Sequence, residues 1–479
     1  MIDNSSVKEK SSQTTYRNEK QENQPDSKNE AWIRRLLASV RDQFSKVKET
    51  GKDRRKKSEK KEKQPLTLKN DSTDASKRLP IIDCLMSGLA VFGMKCTSLL
   101  QFESRKKEEA IRHNLESLYQ VENIPCDTYL RERLDEVEPS DLKRAFKKVF
   151  SIIQRNKKLE DYTYLEEGYI CSIDGTGYFS SSKIHCKNCC VKKHSDGTVT
   201  YYHQSFQGAI VHPEKNIVIP FCPEPILKGD GKEKNDCELN AAKRMIMDLR
   251  REHPHLKLVI TADAIGSNGP YINTIIDNKM SYIIVVKETG NKSLFDFIAG
   301  LTLEKYEFVK DGVKYSFKFI NNIPLNDVHK DLLVNYFEYE EIDLKTEVKK
   351  YNSWITDIKV TKNNVFKLMK AGRSKWKIEN ETFNTLKNQG YSFEHNFGHG
   401  NKNLTTVLAM LMVLAFFLDQ AQELLCTYFQ NALKKAGRKV RLWEKMIELF
   451  KAYLILSWED LYLAISGKHI VSTLKIDSS

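Results

Sequence analysis

Two apolar, strand-like runs in this chain close on a carboxylate: GYICSID reaches Asp174 and LKLVITAD reaches Asp263. Each aspartate could serve only its own backbone, since Asp commonly bonds an amide two residues on and caps a turn. The Gly-Thr-Gly after Asp174 reads as such a turn. If the two strands are neighbours, both side chains instead stand at the carboxyl edge of one sheet, where open α/β sheets place ligands. Carboxylates held together in a partly dry site repel, so one takes a proton or a cation lies between them. Mg²⁺ accepts a few carboxylates plus water and phosphate oxygens. Such a pair therefore suits phosphoryl transfer on two metal ions.

A third acid is expected from a helix, and RSKWKIENETFNTLK (373–387) offers Glu379 and Glu381. On an α-helical wheel they stand about 200° apart, and Phe383 and Leu386 fall within about 40° of Glu379. Glu379 would then be an acid in the middle of an apolar face, with Glu381 pointing the other way. Acids on a buried face are uncommon unless paired, which favours Glu379 and leaves Glu381 as the alternative. Lys375, one turn before Glu379, and Lys387, two turns after it, share that side. They read as contacts to a DNA phosphate or as ordinary i,i+4 ion-pair partners. Arg373 is a further candidate for phosphate contact.

Cysteine supplies a second constellation. IHCKNCCVKKH (184–194) holds Cys186-x-x-Cys189 with His194 five residues on, half of a structural zinc site, with His185, Cys190 or His203 as possible fourth ligands. The same cysteines also read as buried small apolar residues. His395 and His399, in EHNFGHG, read as loop residues, either polar surface or ligands of DNA or metal.

The elements that must position these residues follow from periodicity. From Gly168 the pattern alternates and is rich in β-branched and aromatic residues: GYICSID, TVTYYHQSFQGAIV and NIVIPFC. Helix NDCELNAAKRMIMDLRREH, strand LKLVITAD, helix NGPYINTIIDN and strand SYIIVVK come next. Three antiparallel strands followed by β-α-β units predict an α/β fold, a mixed sheet with helices packed on it. Strand-like segments between 300 and 360 interrupt that rhythm and read as a β-rich insertion. Helical patterns occupy 81 to about 160, 363–388 and 402–466.

The 479 residues are 40% hydrophobic and carry a net charge of +13 with a pI near 9.0. The first 80 residues hold 21 basic and 13 acidic side chains, so most of the surplus sits there. Such an excess favours polyanions, nucleic acid before membrane. Within it, AWIRRLLASVRDQFSKVK (31–48) places Trp32, Leu36, Val40, Phe44 and Val47 on one helical stripe. KVKETGKDRRKKSEKKEK (46–63) has ten basic residues against four acidic, a solvated linker or a DNA-tethering arm. MIDNSSVKEKSSQ lacks the apolar segment of a signal peptide. The apolar run 404–418 is 15 residues, short of the roughly 20 that span a bilayer, and reads as a buried helix. Ten cysteines without such a leader suggest a reducing compartment. The expectation is a cytoplasmic, nucleoid-associated protein with no membrane partner.

DGTGYFSS, ITAD and the W-x-I-E helix ending in L-K, taken with DCLMSGLAVFGMKCTSLLQF, TYLRERLDEV, KNDCELNAAKR and NQGYSFEHNFGHG, carry a family resemblance. Over roughly 80–430 the chain resembles the DDE transposases of bacterial insertion sequences. The resemblance implies a ribonuclease H-like catalytic core over 166–300 and 361–430, with the β-rich insertion (301–360) ahead of the glutamate helix. Around it the reading places a basic arm with one amphipathic helix (1–80), a helical DNA-binding and dimerisation region (81–165) and a C-terminal helical segment (431–479). It makes Asp174, Asp263 and Glu379 the catalytic, metal-binding acids. It implies two Mg²⁺ or Mn²⁺ ions, double-stranded DNA as transposon ends and target, and a homodimer. Gly372 and Lys375 stand where related enzymes often carry Tyr and Arg, and Lys387 lies eight residues after Glu379 where they often place a Lys at seven.

Overall fold

Alternating and β-branched residues from Thr163 onward build a twelve-stranded mixed sheet in the computed structural model, which describes residues 32–47, 79–230, 234–468 and 475–476. Its first six strands are β1 (Thr163–Tyr164), β2 (Gly168–Ser181), β3 (Cys190–Lys193), β4 (Val199–His212), β5 (Lys215–Pro220) and β6 (Glu224–Ile226). The centre continues with β7 (Leu258–Ala262) and β8 (Ser281–Val285). The last four are β9 (Glu304–Lys310), β10 (Val313–Pro324), β11 (Leu333–Asp343) and β12 (Lys349–Thr356). The order across the sheet is β3-β4-β2-β7-β8-β12-β11-β10-β9, with β1 beside β2 and with β5 and β6 beside β4. Among the described residues, only the β2–β7 and β7–β8 pairs are parallel. Every residue of β7 is buried, as expected of a parallel strand covered on both faces.

The segment between 300 and 360 joins this same sheet. β12 pairs with β8 through Trp354, Ile355 and Thr356 opposite Val285, Ile284 and Ile283, so the meander β9–β12 extends the sheet. Phe317, Tyr339 and Trp354 stack along it, and such cross-strand aromatic pairs stabilise a sheet by up to about 1 kcal/mol each.

Among the described residues, six helices precede the sheet: α1 (Trp32–Phe44), α2 (Ile81–Gly93), α3 (Leu99–Arg105), α4 (Glu109–Tyr119), α5 (Asp127–Asp135) and α6 (Lys143–Arg155). Between and after the strands come α7 (Lys234–Glu252), α8 (Gly269–Asp277), α9 (Lys292–Ala299), α10 (Val365–Arg373) and α11 (Asn384–Asn388). Four more follow: α12 (Leu404–Leu425), α13 (Thr427–Ala436), α14 (Lys439–Ala452) and α15 (Trp458–Ser466). The apolar run 404–418 lies within α12, which is long and apolar enough to cross a membrane but is buried inside the protein. α2, α5, α6 and β5 pack against it. The expected amphipathic helix α1 is held in this core: Ile33, Leu36, Leu37, Val40 and Phe44 are buried, and α2 and α6 cover them. The basic run 48–63 lies outside the described residues. The N-terminal and C-terminal helices share one core, since Asn114 of α4 bonds the Phe450 and Tyr453 carbonyls and the Ile455 amide.

One carboxylate fixes the start of α12. Asp135, the last residue of α5, accepts hydrogen bonds from the amides of Asn401, Lys402, Asn403 and Leu404 at 2.9–3.0 Å. These are donors that no helical carbonyl can satisfy. Burial alone would raise the Asp135 pKa, but the four amides outweigh it and hold the group below its usual value. A carboxylate with a depressed folded pKa contributes stability above its unfolded pKa and loses it as pH falls through the folded value. Asp135→Ala is therefore expected to cost about 2 kcal/mol at neutral pH, read as a lower thermal midpoint. The gap to the parent should narrow below about pH 4; a gap independent of pH would refute the assignment.

Candidate active site

Asp174 lies in the middle of β2. The strand runs on through the Gly-Thr-Gly, where Asp174, Gly175, Thr176 and Gly177 face Gln207, Phe206, Ser205 and Gln204 of β4, and it bulges only between Gly177 and Phe179. The expected turn is absent from this stretch. What ends at Asp174 is the parallel partner on the other side. The β2–β7 register runs from Tyr169 opposite Leu258 to Ser172 opposite Thr261, and carrying it forward two residues sets Asp174 beside Asp263. β7 stops at Ala262, which opens the sheet edge there. Gly175 serves close approach: a Cβ on it would lie 3.3 Å from the Glu238 carboxylate, so α7 could not sit so near a larger residue.

Asp174 Oδ1 accepts from the Gly175 amide at 2.8 Å, and Asp263 Oδ1 accepts from the Ile265 amide at 3.3 Å. Each aspartate therefore does bond its local backbone, and each keeps further oxygen lone pairs. Burial pushes the Asp174 pKa up, Lys375 opposes that, and the Asp263 charge adds to the rise. Burial is the largest of these effects, and the Asp263 contribution is the like-charge penalty expected of two adjacent carboxylates.

Glu379 reaches the same edge by a route the α-helical wheel does not describe. After α10 the backbone widens into a π turn over Ile378–Phe383 before α11 resumes, a feature frequent at functional sites. Its side chain is 56% exposed, so the expectation that Glu379 sits within an apolar face is corrected. The wheel assumed 3.6 residues per turn, and the π turn breaks that spacing. Lys375 Nζ lies 2.8 Å from Glu379 Oε1 and 2.9 Å from Asp174 Oδ2, bridging the two acids. Burial alone would lower the Lys375 pKa, but Asp174 and Glu379 outweigh it and raise it, so the ammonium persists. The Ser172 hydroxyl donates to the Lys375 carbonyl at 2.9 Å, fastening the turn after α10 to β2. Asp263 shares no ion pair with this group among the described residues. Glu381 interacts instead with Lys377, whose ammonium bonds the Lys215 carbonyl at 2.7 Å.

The other expected phosphate contacts are held by acids. Arg373 Nη1 pairs with Glu341 Oε2 of β11 at 2.8 Å, tying α10 to the β9–β12 meander. Lys387 pairs with Glu394 at 2.7 Å. A basic cavity of about 950 Å³ opens along β2 beyond the acids, with Gly177, Lys192, Lys193, His194, Lys228 and Glu394 in its walls. Glu238 is a further acid near this edge, packed against Gly175 and given no role by the motifs in the sequence. It lies one turn ahead of the buried Ala241 and Ala242, so the sheet-facing stripe of α7 already placed it toward β2.

The cysteine cluster departs from expectation in its histidine. His194 Nε2 bonds Thr200 Oγ1 at 2.8 Å and lies apart from the thiols, because its residue ends the β3 hairpin beyond them. His185 packs on Tyr201, and Cys190 Sγ points to the Ile226 carbonyl. Cys186, Cys189, His203 and His399 gather instead, with one donor atom from each lying within 4.8 Å of the rest. Burial lowers the His203 pKa to about 4, which keeps the ring neutral. His395 remains outside the group, packed on Phe397.

No family model matches this chain, and no curated protein matches it. Among solved structures it is similar to a cryo-EM structure of the piggyBac transposase synaptic complex with hairpin DNA. The superposition has a TM-score of 0.35 at 8% identity and covers 82% of this chain and 74% of the other. That degree of likeness assigns neither a fold family nor an activity.

Proposed function

We propose that this chain is a DNA transposase of the DDE type found in bacterial insertion sequences, cutting element ends and joining them to target DNA. The observation that carries the reading is the convergence of Asp174 and Asp263 at the open end of the parallel β2–β7 pair, with Glu379 bridged to Asp174 by Lys375. A ribonuclease H-like core is supported by the order β5-β4-β2-β7-β8, three antiparallel strands followed by two parallel ones. The donor set suits Mg²⁺ or Mn²⁺, being all carboxylate oxygen, and the Lys375 ammonium already occupies a cation's place between two of its members. Bound there by Asp174, Asp263 and Glu379, two such ions would activate water or a 3′-hydroxyl and neutralise charge on the phosphate.

The chain's own residues supply position and charge. Ser172 and the π turn hold Glu379 over the edge of β2. Lys375, once displaced from the carboxylates, stands next to the cleavage point as a cation for a non-bridging phosphate oxygen. Lys192, Lys193 and Lys228 extend a basic wall along the adjoining cavity, suited to sequence-independent backbone contact. Cutting and joining two ends in one event calls for two copies of the chain, so a homodimer belongs to this reading.

The test uses the full chain, Mg²⁺, a duplex carrying the inverted repeats that flank the coding region, and a target plasmid. Joined products are expected. Nicks alone would identify a nuclease without strand transfer, and intact DNA with both Mg²⁺ and Mn²⁺ would overturn the catalytic reading. A separate binding measurement checks the bridging lysine. The ammonium must leave Asp174 and Glu379 before a metal can enter, at a cost of at least the ~1 kcal/mol of an exposed pair, since Lys375 and Asp174 are mostly buried. Lys375→Met should therefore bind Mn²⁺ at least about fivefold tighter in the absence of DNA, by calorimetry or by electron paramagnetic resonance. Weaker binding would show that Lys375 assembles the acids and does not compete for them.

A further inference from the structure

We infer that Cys186, Cys189, His203 and His399 bind one structural Zn²⁺ in a tetrahedral site that staples the loop between β2 and β3 to β4 and to the chain entering α12. The four residues come from three distant stretches of sequence. Cys186 and Cys189 lie on the loop after β2, His203 on β4, and His399 in the loop ahead of α12.

The spacing of the donor atoms fits a shared cation. Cys186 Sγ and Cys189 Sγ are 3.8 Å apart, and His203 Nε2 lies 3.4 and 3.3 Å from them. His399 Nε2 lies 3.4 Å from Cys189 Sγ. Zinc bonds of about 2.3 Å to sulfur and about 2.0–2.1 Å to nitrogen give tetrahedral edges of about 3.8 Å between sulfurs and about 3.5 Å from sulfur to nitrogen. Hydrogen bonding alone accounts for this arrangement poorly. His203 Nε2 carries a single proton or a single lone pair in the ring plane, yet two thiols converge on it. Two thiolates with two imidazoles form a donor set that suits zinc and leaves no position open for a water.

The surroundings hold the ligands in place. The Cys189 amide bonds the Cys186 carbonyl, and the Cys186 amide points at Cys189 Sγ, each at 3.3 Å, so the Cys-x-x-Cys turn is already closed around sulfur. His399 Nδ1 lies 3.3 Å from Thr405 Oγ1, and that hydroxyl also donates to the His399 carbonyl. A partner on the remote ring nitrogen is the usual means of orienting a ligating histidine. The loop itself is pinned from α5: Arg131 donates to the Phe397 carbonyl, and Asp135 takes the amides from Asn401 to Leu404. Gly400, with φ +69°, passes so close to Asp135 that a Cβ would lie 2.4 Å from its oxygen. The Phe179 ring packs at a tilt against His399, with centroids 4.3 Å apart, and shields the group from one side.

The consequence concerns the cavity along β2. Lys192, Lys193 and His194 of its wall follow directly on the Cys-x-x-Cys turn, so a metal there would fix the position of the wall independently of the carboxylates. The test uses the full chain purified without chelator. Elemental analysis is expected to find one zinc per chain, and His399→Ala and Cys189→Ser should each reduce it at least fivefold. His194→Ala should retain it. Because those variants could unfold, cobalt exchange into the parent protein gives a second readout: tetrahedral ligand-field bands with thiolate charge-transfer absorption. The inference is overturned by a zinc-free parent that also gives no such cobalt spectrum, or by zinc that depends on His194 and not on His399.

Discussion

Asp174→Asn is expected to lower metal-dependent DNA cleavage by a factor of roughly 10³ or more, the scale seen when charge stabilisation in a transition state is removed. Asn keeps the shape of the side chain and can still accept from the Gly175 amide, but it lacks the charge a cation requires. The same substitution should leave the thermal midpoint close to that of the parent, because Glu379 remains as a partner for the Lys375 ammonium. Burial raises the folded pKa of Asp174 first, and the Asp263 charge adds to it against the pull of Lys375. An acid with a raised folded pKa costs stability once pH exceeds its unfolded value, so a neutral isostere removes a penalty. Lost activity with retained stability is the signature of a group held for function. Glu379→Gln should follow Asp174→Asn, whereas Glu381→Gln should remain within a few-fold of the parent, since Glu381 faces Lys377. Full activity in Asp174→Asn would falsify the assignment, and equal losses at both glutamates would leave the π turn without a selective role.

The second large effect lies far from that edge, in the helical core. Lys95 Nζ sits 2.5 Å from Asp419 Oδ2 of α12 with its own side chain only 3% exposed. The Tyr391 hydroxyl donates to the same oxygen, and the ammonium rests over the Tyr391 and Trp443 rings at 3.8 and 4.3 Å. Asp419→Ala strands a buried cation, a change that typically costs about 3–5 kcal/mol. Burial already lowers the Lys95 pKa, with Asp419 pulling the other way, so removing the carboxylate lowers it further. A lysine with a depressed folded pKa binds more protons unfolded than folded, so stability rises with pH. The Asp419→Ala thermal midpoint should therefore drop sharply at neutral pH and recover toward alkaline pH. Lys95→Met combined with Asp419→Leu should be less damaging than Asp419→Ala alone. A midpoint within a degree or two of the parent at pH 7 would show that the ion pair contributes little.

Sequence by itself determined the local elements, because their signals are periodic. The alternating runs from Gly168, the all-apolar LKLVITA and the helix between 404 and 418 each state their own exposure, and burial follows the pattern. It also singled out Asp174 and Asp263, since an acid closing a buried run is conspicuous against its neighbours. Tertiary structure decided matters that depend on partners. Gly-Thr-Gly carries turn residues, yet β4 pairs with it throughout and α7 packs upon it, so a strand wins over the turn. Glu379 faces Asp174 through a π turn that no 3.6-residue wheel contains. His194 stood at metal-ligand spacing, but His203 and His399 are the ones brought to the thiols, because β-pairing and the α5 contacts set distance in space and not along the chain. Spacing along a sequence constrains ligands only within one element; between elements, the sheet register and the helix ends choose them.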